Sequence, residues 1–149
     1  MWWRVPRSWA TFSANSLPVI TLRISDVIVR ALVDTGASQS LIDPRLARQL
    51  NFQEDDGGWI VGVGTKPLQV SFVLIENVAI GRNVLKSFRA GIFDLTNLRI
   101  GIQLILGINA FQGYHLQFDF AKGAPLSVAL AIHRSAICEN APCMTCDEF

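Results

Sequence analysis

The sequence predicts a single all-β domain with one or two short helices. Two observations carry this expectation. Short apolar runs with period-2 alternation recur along the chain and are separated by turn residues. Only one segment, entered through Asp43-Pro44, combines a helix-start signal with helical spacing of apolar residues. A length of 149 residues corresponds to one domain at ~150 residues each.

Taken in order, residues 1–16 carry three tryptophans and several serines with no period of 2 or 3.6, and read as an N-terminal arm. Pro18 to Val33 reads as a hairpin. Val19, Thr21 and Arg23 alternate with Ile20, Leu22 and Ile24, Ser25-Asp26 supply the turn, and Val27 to Val33 returns. Asp43 is a good N-cap with Pro44 at the first helical position, and Leu46, Ala47 and Leu50 follow at helical spacing. This predicts a helix over Asp43 to Leu50, with a polar, acidic loop from Asn51 to Gly58. Trp59 to Pro67 reads as a hairpin with glycines at its tip, and Leu68 to Ile75 as the alternating strand beyond it. A turn at Ile80 to Asn83, a strand from Val84 to Phe93 and a loop over Asp94 to Asn97 come next. The buried run Leu104-Ile105-Leu106 ends at Gly107, and Tyr114 to Phe120 forms the strand behind it. A turn over 121–125 and a strand from Leu126 to Ile132 complete the domain, expected over residues 17–132, before a cysteine-containing tail at 133–149.

The chain is organised around Ala31-Leu32-Val33-Asp34-Thr35-Gly36-Ala37-Ser38. A buried strand stops at a carboxylate, a hydroxyl and a glycine, then resumes at Leu41-Ile42. A carboxylate at the end of a buried strand is expensive unless it is hydrogen-bonded or kept partly neutral. Gly36 allows a sharp turn whose N–H groups face that carboxylate. Such a stretch sets a carboxylate on a rigid loop, as acid–base chemistry requires. A chance strand-to-turn junction is the plain alternative. The phosphate turn of actin-like kinases also uses Asp-x-Gly-x-Ser, but 149 residues are too few for its two lobes.

Leu-Val-Asp-Thr-Gly-Ala-Ser resembles the active-site loop of aspartic proteases, and its Ala-Ser ending is most similar to the single-domain, retropepsin-like branch. Leu104-Ile105-Leu106-Gly107 resembles that family's second signature, a strand passing behind the catalytic loop, with Ile108 to Gln112 as the short helix after it. The resemblance covers roughly Leu17 to Leu130. It implies a retropepsin-like acid-protease half-barrel with a flap hairpin, acting as a homodimer. Since the sequence holds one Asp-Thr-Gly and the chemistry needs two carboxylates, each chain would contribute Asp34 at a two-fold axis. The implied activity is aspartic endopeptidase hydrolysis of protein or peptide substrates. Asp34, Thr35 and Gly36 would be catalytic, with Thr35 bonding across the dimer and Gly36 meeting substrate backbone. Ala37 and Ser38 would line the neighbouring subsite, and Val61, Gly62, Val63 and Gly64 would form the substrate-contacting part of the flap. A non-catalytic dimeric peptide-binding module or scaffold with this fold is the alternative function. A protease segment of a retroelement polyprotein would share the enzyme class.

Other chemistry is poorly supported. Net charge is +1, which argues against a nucleic-acid role driven by bulk charge. No apolar run approaches the ~20 residues of a membrane span, and the N-terminus lacks the apolar run of a signal peptide. The charged fraction of 17% is low against ~25% for globular domains, which suggests apolar surface covered by a partner. His115 reads as a surface or satisfied histidine, and Asp94 and Asp119 as solvated carboxylates. Cys138, Cys143 and Cys146 lie outside the presumed core, so no disulfide framework is expected and a reducing, cytoplasmic compartment is favoured. His133 with the three cysteines could supply four zinc ligands, but the reading adopted is a tail with free thiols, with no metal and no cofactor.

Overall fold

The computed structural model of the protein describes residues 8–13, 17–62, 66–119 and 127–134. Its twelve strands are β1 (Ser8–Ser13), β2 (Val19–Ile24), β3 (Val27–Val33), β4 (Ser40–Ile42), β5 (Glu54–Ile60), β6 (Leu68–Ile75), β7 (Val78–Ile80), β8 (Asn83–Val84), β9 (Phe88–Ile92), β10 (Leu104–Leu106), β11 (Tyr114–Asp119) and β12 (Ser127–Arg134). One α-helix, α1 (Pro44–Gln49), and short 3-10 turns at Thr96–Leu98 and Ile108–Phe111 complete the described elements. The all-β class expected from the sequence is the class observed.

Nine strands form one sheet in the order β5-β6-β9-β4-β10-β3-β2-β7-β8, and β1-β12-β11 form a second. β2 and β3 pair antiparallel as the predicted hairpin, with Ile24 opposite Val27. The later strand β10 then inserts between β3 and β4, parallel to β3 and antiparallel to β4. That insertion places three short apolar strands at the centre, covered on both faces. Val29, Ala31 and Val33 of β3, Leu104 and Leu106 of β10 and Ile42 of β4 enter the main core. Leu32, Leu41 and Ile105 point the other way, against Leu95 and Ile102. Strands buried on both faces read as continuous apolar runs, which is why Ala31-Leu32-Val33 and Leu104-Ile105-Leu106 show no polar alternation.

α1 begins as predicted. The Asp43 carboxylate accepts the Arg45 backbone N–H at 3.0 Å, Pro44 starts the first turn, and Leu46 and Ala47 are buried. Asp43 itself is only 1% exposed. A buried carboxylate requires partners, and this one also accepts Arg45 Nε at 2.8 Å, Arg45 Nη2 at 3.0 Å and the Leu95 N–H at 3.3 Å. The Arg45 guanidinium and the two amides hold its carboxyl below the usual carboxylate range, against the opposing effect of burial.

Four expectations need correction. The loop expected over Asn51 to Gly58 contains the start of β5, because backbone pairing to β6 holds a polar edge strand that has no apolar alternation to betray it. A register shift between Asp55 and Gly58 marks an irregularity in that ladder. The strand expected over Val84 to Phe93 is broken at 85–87, since Asn83–Val84 pairs with β7 whereas Phe88–Ile92 pairs with β6 and β4. The last strand reaches Arg134, two residues past the expected end, where it pairs with Tyr114. Within the segment read as an N-terminal arm, Ser8–Ser13 forms β1 against β12. The expected turn at 121–125 and the cysteine tail from residue 135 lie outside the described residues.

Candidate active site

Asp34 follows the last residue of β3, where the apolar run ends. Its N–H donates to the Leu106 carbonyl at 2.9 Å, which extends the β3–β10 ladder by one bond and fixes the Asp34 backbone against β10. The Gly36 N–H donates to Asp34 Oδ1 at 3.0 Å, and the Ala37 N–H to the Asp34 carbonyl at 3.2 Å. The carboxylate is thus held by its own turn, half-buried rather than buried. Thr35 and Gly36 are exposed in that turn.

The outgoing arm of the loop is latched to the turn after β10. The Ile108 N–H donates to the Ala37 carbonyl at 2.9 Å. Ser40 is fully buried; its N–H and hydroxyl both donate to Asn109 Oδ1 at 2.8 Å, and its Oγ accepts the Gly107 N–H at 3.0 Å. Asn109 Nδ2 donates to the Arg89 carbonyl at 2.7 Å, tying the same turn to β9. Gly107 sits where a side chain would not fit: a Cβ there would lie 2.7 Å from the Gln39 carbonyl and 2.8 Å from the Ala37 oxygen. Its φ of −80° is open to any residue, so space and not backbone conformation requires glycine.

A cleft of about 550 Å³ opens over this loop. Asp34, Gly36, Ala37 and Ser38 form one side, with Leu41 beside them, and Trp59 and Ile60 at the end of β5, with Val61 and Gly62 just beyond it, form the other. Asp34 is the one ionisable side chain among the described residues that line it. Beyond Gln39 and Trp59 a second hollow of about 410 Å³ is floored by Phe72, with Arg89 stacked 4.8 Å over the ring and paired to Asp55 at 2.6 Å.

Of the residues singled out in the sequence, Asp34, Gly36, Ala37, Ser38, Val61 and Gly62 border one cleft. Thr35 is next to them in the turn, whereas Val63 and Gly64 lie outside the described residues. Sequence reading missed Ser40, Asn109, Gln39 and Trp59. A serine inside the apolar resumption Ser40-Leu41-Ile42 was the one local signal, since a buried hydroxyl needs partners. Among the described residues no three His, Cys, Asp or Glu side chains are grouped to hold a metal ion, and no helix is long and apolar enough to cross a membrane.

Comparison with known proteins gives the family and the fold. The family model described as aspartyl protease matches residues 20–110. Among solved structures, a retropepsin-like aspartic protease from Rickettsia conorii superposes with a TM-score of 0.57 at 18% identity, covering 91% of this chain and 99% of that one. The retroviral protease-like domain of Ddi1 from Leishmania major gives a TM-score of 0.44 at 19% identity, over 68% of this chain and 80% of that one. No curated protein sequence matches. At such identities the structural likeness is one of fold.

Proposed function

Because the chain belongs to the aspartyl protease family and has a retropepsin-like fold, we propose that it is an aspartic endopeptidase active as a homodimer. The observation that carries this reading is the Asp34 carboxylate, held by its own turn at one side of a cleft of about 550 Å³ and the one ionisable side chain among the described residues that line it. Acid–base hydrolysis through carboxylates needs two, and a second copy related by a two-fold axis supplies the other.

Two carboxylates a few ångströms apart cannot both ionise easily, so the pair holds one proton between them. The ionised member takes a proton from a water, and the water oxygen attacks the scissile carbonyl carbon. The protonated member hydrogen-bonds the carbonyl oxygen as it gains charge. Proton transfer to the amide nitrogen then breaks the C–N bond, with no covalent intermediate. In this reading Thr35 bonds across the dimer, Gly36 meets substrate backbone, and Ala37 and Ser38 line the adjoining subsite. Val61, Gly62, Val63 and Gly64 close over the peptide as a flap.

The test is cleavage of an unbiased peptide library by the purified chain, with and without a statine-type inhibitor. Asp34→Asn should fold and dimerise but cut nothing, and excess mutant mixed into wild type should poison activity through one-carboxylate heterodimers. A fully active Asp34→Asn protein overturns the mechanism. A wild-type chain that binds peptides without cutting them is a scaffold of the same fold and refutes the enzymatic reading.

A further inference from the structure

The hollow beyond Gln39 and Trp59 differs in chemistry from the cleft it adjoins. The two spaces share those two residues, so a side chain of a peptide seated in the cleft can enter the hollow past them. Among the described lining residues the one ionisable group is Asp34 in the cleft and Arg89 in the hollow. One space is anionic and its neighbour is cationic.

The floor of the hollow depends on Gly58. Phe72 is buried, and a Cβ on Gly58 would lie 2.7 Å from its Cε2 and 3.3 Å from its Cδ2. Glycine thus lets the ring lie against β5, and the Arg89 guanidinium stacks over that ring at 4.8 Å. Stacking holds the planar fork in one orientation, which lowers the entropy lost when it pairs with a carboxylate. Asp55 accepts a single N–H of this guanidinium, from Nη2 at 2.6 Å. Both side chains of that pair are half exposed, at 52% and 53%. Such a pair is weak and screened by solvent, and the guanidinium carries further N–H donors for a second carboxylate. Asp55 therefore masks Arg89 without consuming it. At the rim, Asn109 Nδ2 makes a long contact of 3.5 Å to Gln39 Oε1. That contact turns the Gln39 carbonyl toward Asn109 and leaves its NH₂ group as a second donor.

We propose that this hollow of about 410 Å³ is a specificity subsite for a glutamate or aspartate side chain of the substrate, read by Arg89 with Gln39 assisting. The proposal rests on the peptide-cleaving reading of the cleft and adds a substrate class to it: peptides with a carboxylate at one position displaced from the scissile bond. The incoming carboxylate competes with Asp55 for the guanidinium, while its methylene stem lies against Phe72 and Trp59. A glutamine there makes no ion pair, and a lysine is repelled.

Cleavage of an unbiased peptide library by the full wild-type chain should show glutamate and aspartate enriched at one such position. Matched peptides with Glu, Gln or Lys there should rank in that order. The Glu peptide should exceed the Gln peptide about 5-fold or more in kcat/KM, the upper range for an exposed ion pair. Arg89→Glu should invert the order in favour of Lys. Asp55→Asn removes the competing carboxylate and should widen the Glu-over-Gln ratio, which a merely structural Arg89–Asp55 pair would leave unmoved. Should Arg89→Glu fail to fold, Arg89→Gln and Asp55→Asn decide the matter by the same ratio. Affinity selection of the same library on the Asp34→Asn chain separates this proposal from the one it rests on. An uncut library from which acidic peptides are nonetheless selected, in an Arg89-dependent way, refutes proteolysis and upholds the subsite. Cleavage without acidic preference, an absence of acidic enrichment in both experiments, or a Glu-over-Gln ratio unchanged by the Arg89 variants overturns the subsite.

Discussion

Replacing Gly107 by alanine tests the core of the site. The added Cβ would lie 2.7 Å from both the carbon and the oxygen of the Gln39 carbonyl and 2.8 Å from the Ala37 oxygen, where ordinary contacts are 3.4–4 Å. All three obstacles are backbone atoms, so no rotamer change relieves them; the loop and the turn must separate by roughly 0.7 Å, and overpacking of this kind costs about 1–3 kcal/mol. That separation stretches the Ile108–Ala37 and Gly107–Ser40 hydrogen bonds, each worth about 0.5–1.5 kcal/mol net. The expected loss is therefore about 2–4 kcal/mol, measured by urea unfolding at fixed protein concentration. A displacement approaching ~1 Å in the loop bearing Asp34 should also lower turnover on the order of 10²-fold. Gly91→Ala is the internal control. Its Cβ would meet side-chain methyls rather than backbone, those of Val70, Leu41 and Ile60 at 3.2, 3.3 and 3.6 Å, so it should cost ~1 kcal/mol or less. A Gly107→Ala protein within ~0.5 kcal/mol of wild type, a difference ordinary for a neutral surface change, would refute the steric argument.

Gly36→Ala should leave stability nearly unchanged, because the new Cβ meets only Asp34 Oδ1, at 3.3 Å; it should nonetheless reduce kcat by shifting that carboxylate, and wild-type kinetics would refute this. Ser40→Ala leaves the Gly107 N–H without its acceptor and removes one donor from Asn109 Oδ1, so unfolding should cost about 1–3 kcal/mol less than in wild type; equal urea midpoints would count against the latch. For Asp43, the folded-state pKa is lowered, chiefly by its hydrogen bond to Arg45, so its contribution is present above the unfolded value of ~3.9 and is lost as pH falls through the lower folded value. The stability gap between wild type and Asp43→Asn should accordingly be constant at neutral pH and narrow below about pH 4; a gap that widens on acidification would contradict the assignment.

What was legible in the sequence was local. The β2–β3 hairpin and α1 each carry their signal within a few residues, as alternation around Ser25-Asp26 or as Asp43-Pro44 before Leu46 and Ala47. The Asp34 loop was legible for a different reason: a carboxylate ending an apolar run is a costly arrangement that chemistry, not packing, explains. β5 was not legible, because Glu54 to Gly58 shows neither period and is a strand only through backbone bonds to β6. The break between β8 and β9 was hidden as well, since Val84 and Phe88 belong to ladders with different partners, and partner identity is not a local property.

The residues that hold the site escaped for a related reason. Ser40 and Asn109 are 69 positions apart, and Asp43 accepts the amide of Leu95 from 52 positions away. Serine, asparagine and aspartate are ordinary turn and cap residues, so at each position a local explanation sufficed. Asp43 even fulfils its local role as N-cap while making the distant bond. The insertion of β10 between β3 and β4 turns these into one problem: it buries the polar backbone at the loop's exit, where Gly107 admits no side chain and Ala37, Ser40 and Gly107 still need partners. The Ile108 N–H meets Ala37 and Ser40 Oγ meets Gly107, and one carboxamide meets Ser40, because Asn109 offers an acceptor that takes two donors from Ser40 and a donor that reaches Arg89. An aspartate there would lack the donor toward β9, and a leucine would leave the Ser40 N–H and hydroxyl without the acceptor they share. The identity of Asn109 is thus dictated by the crossing of strands that meet only in the folded chain.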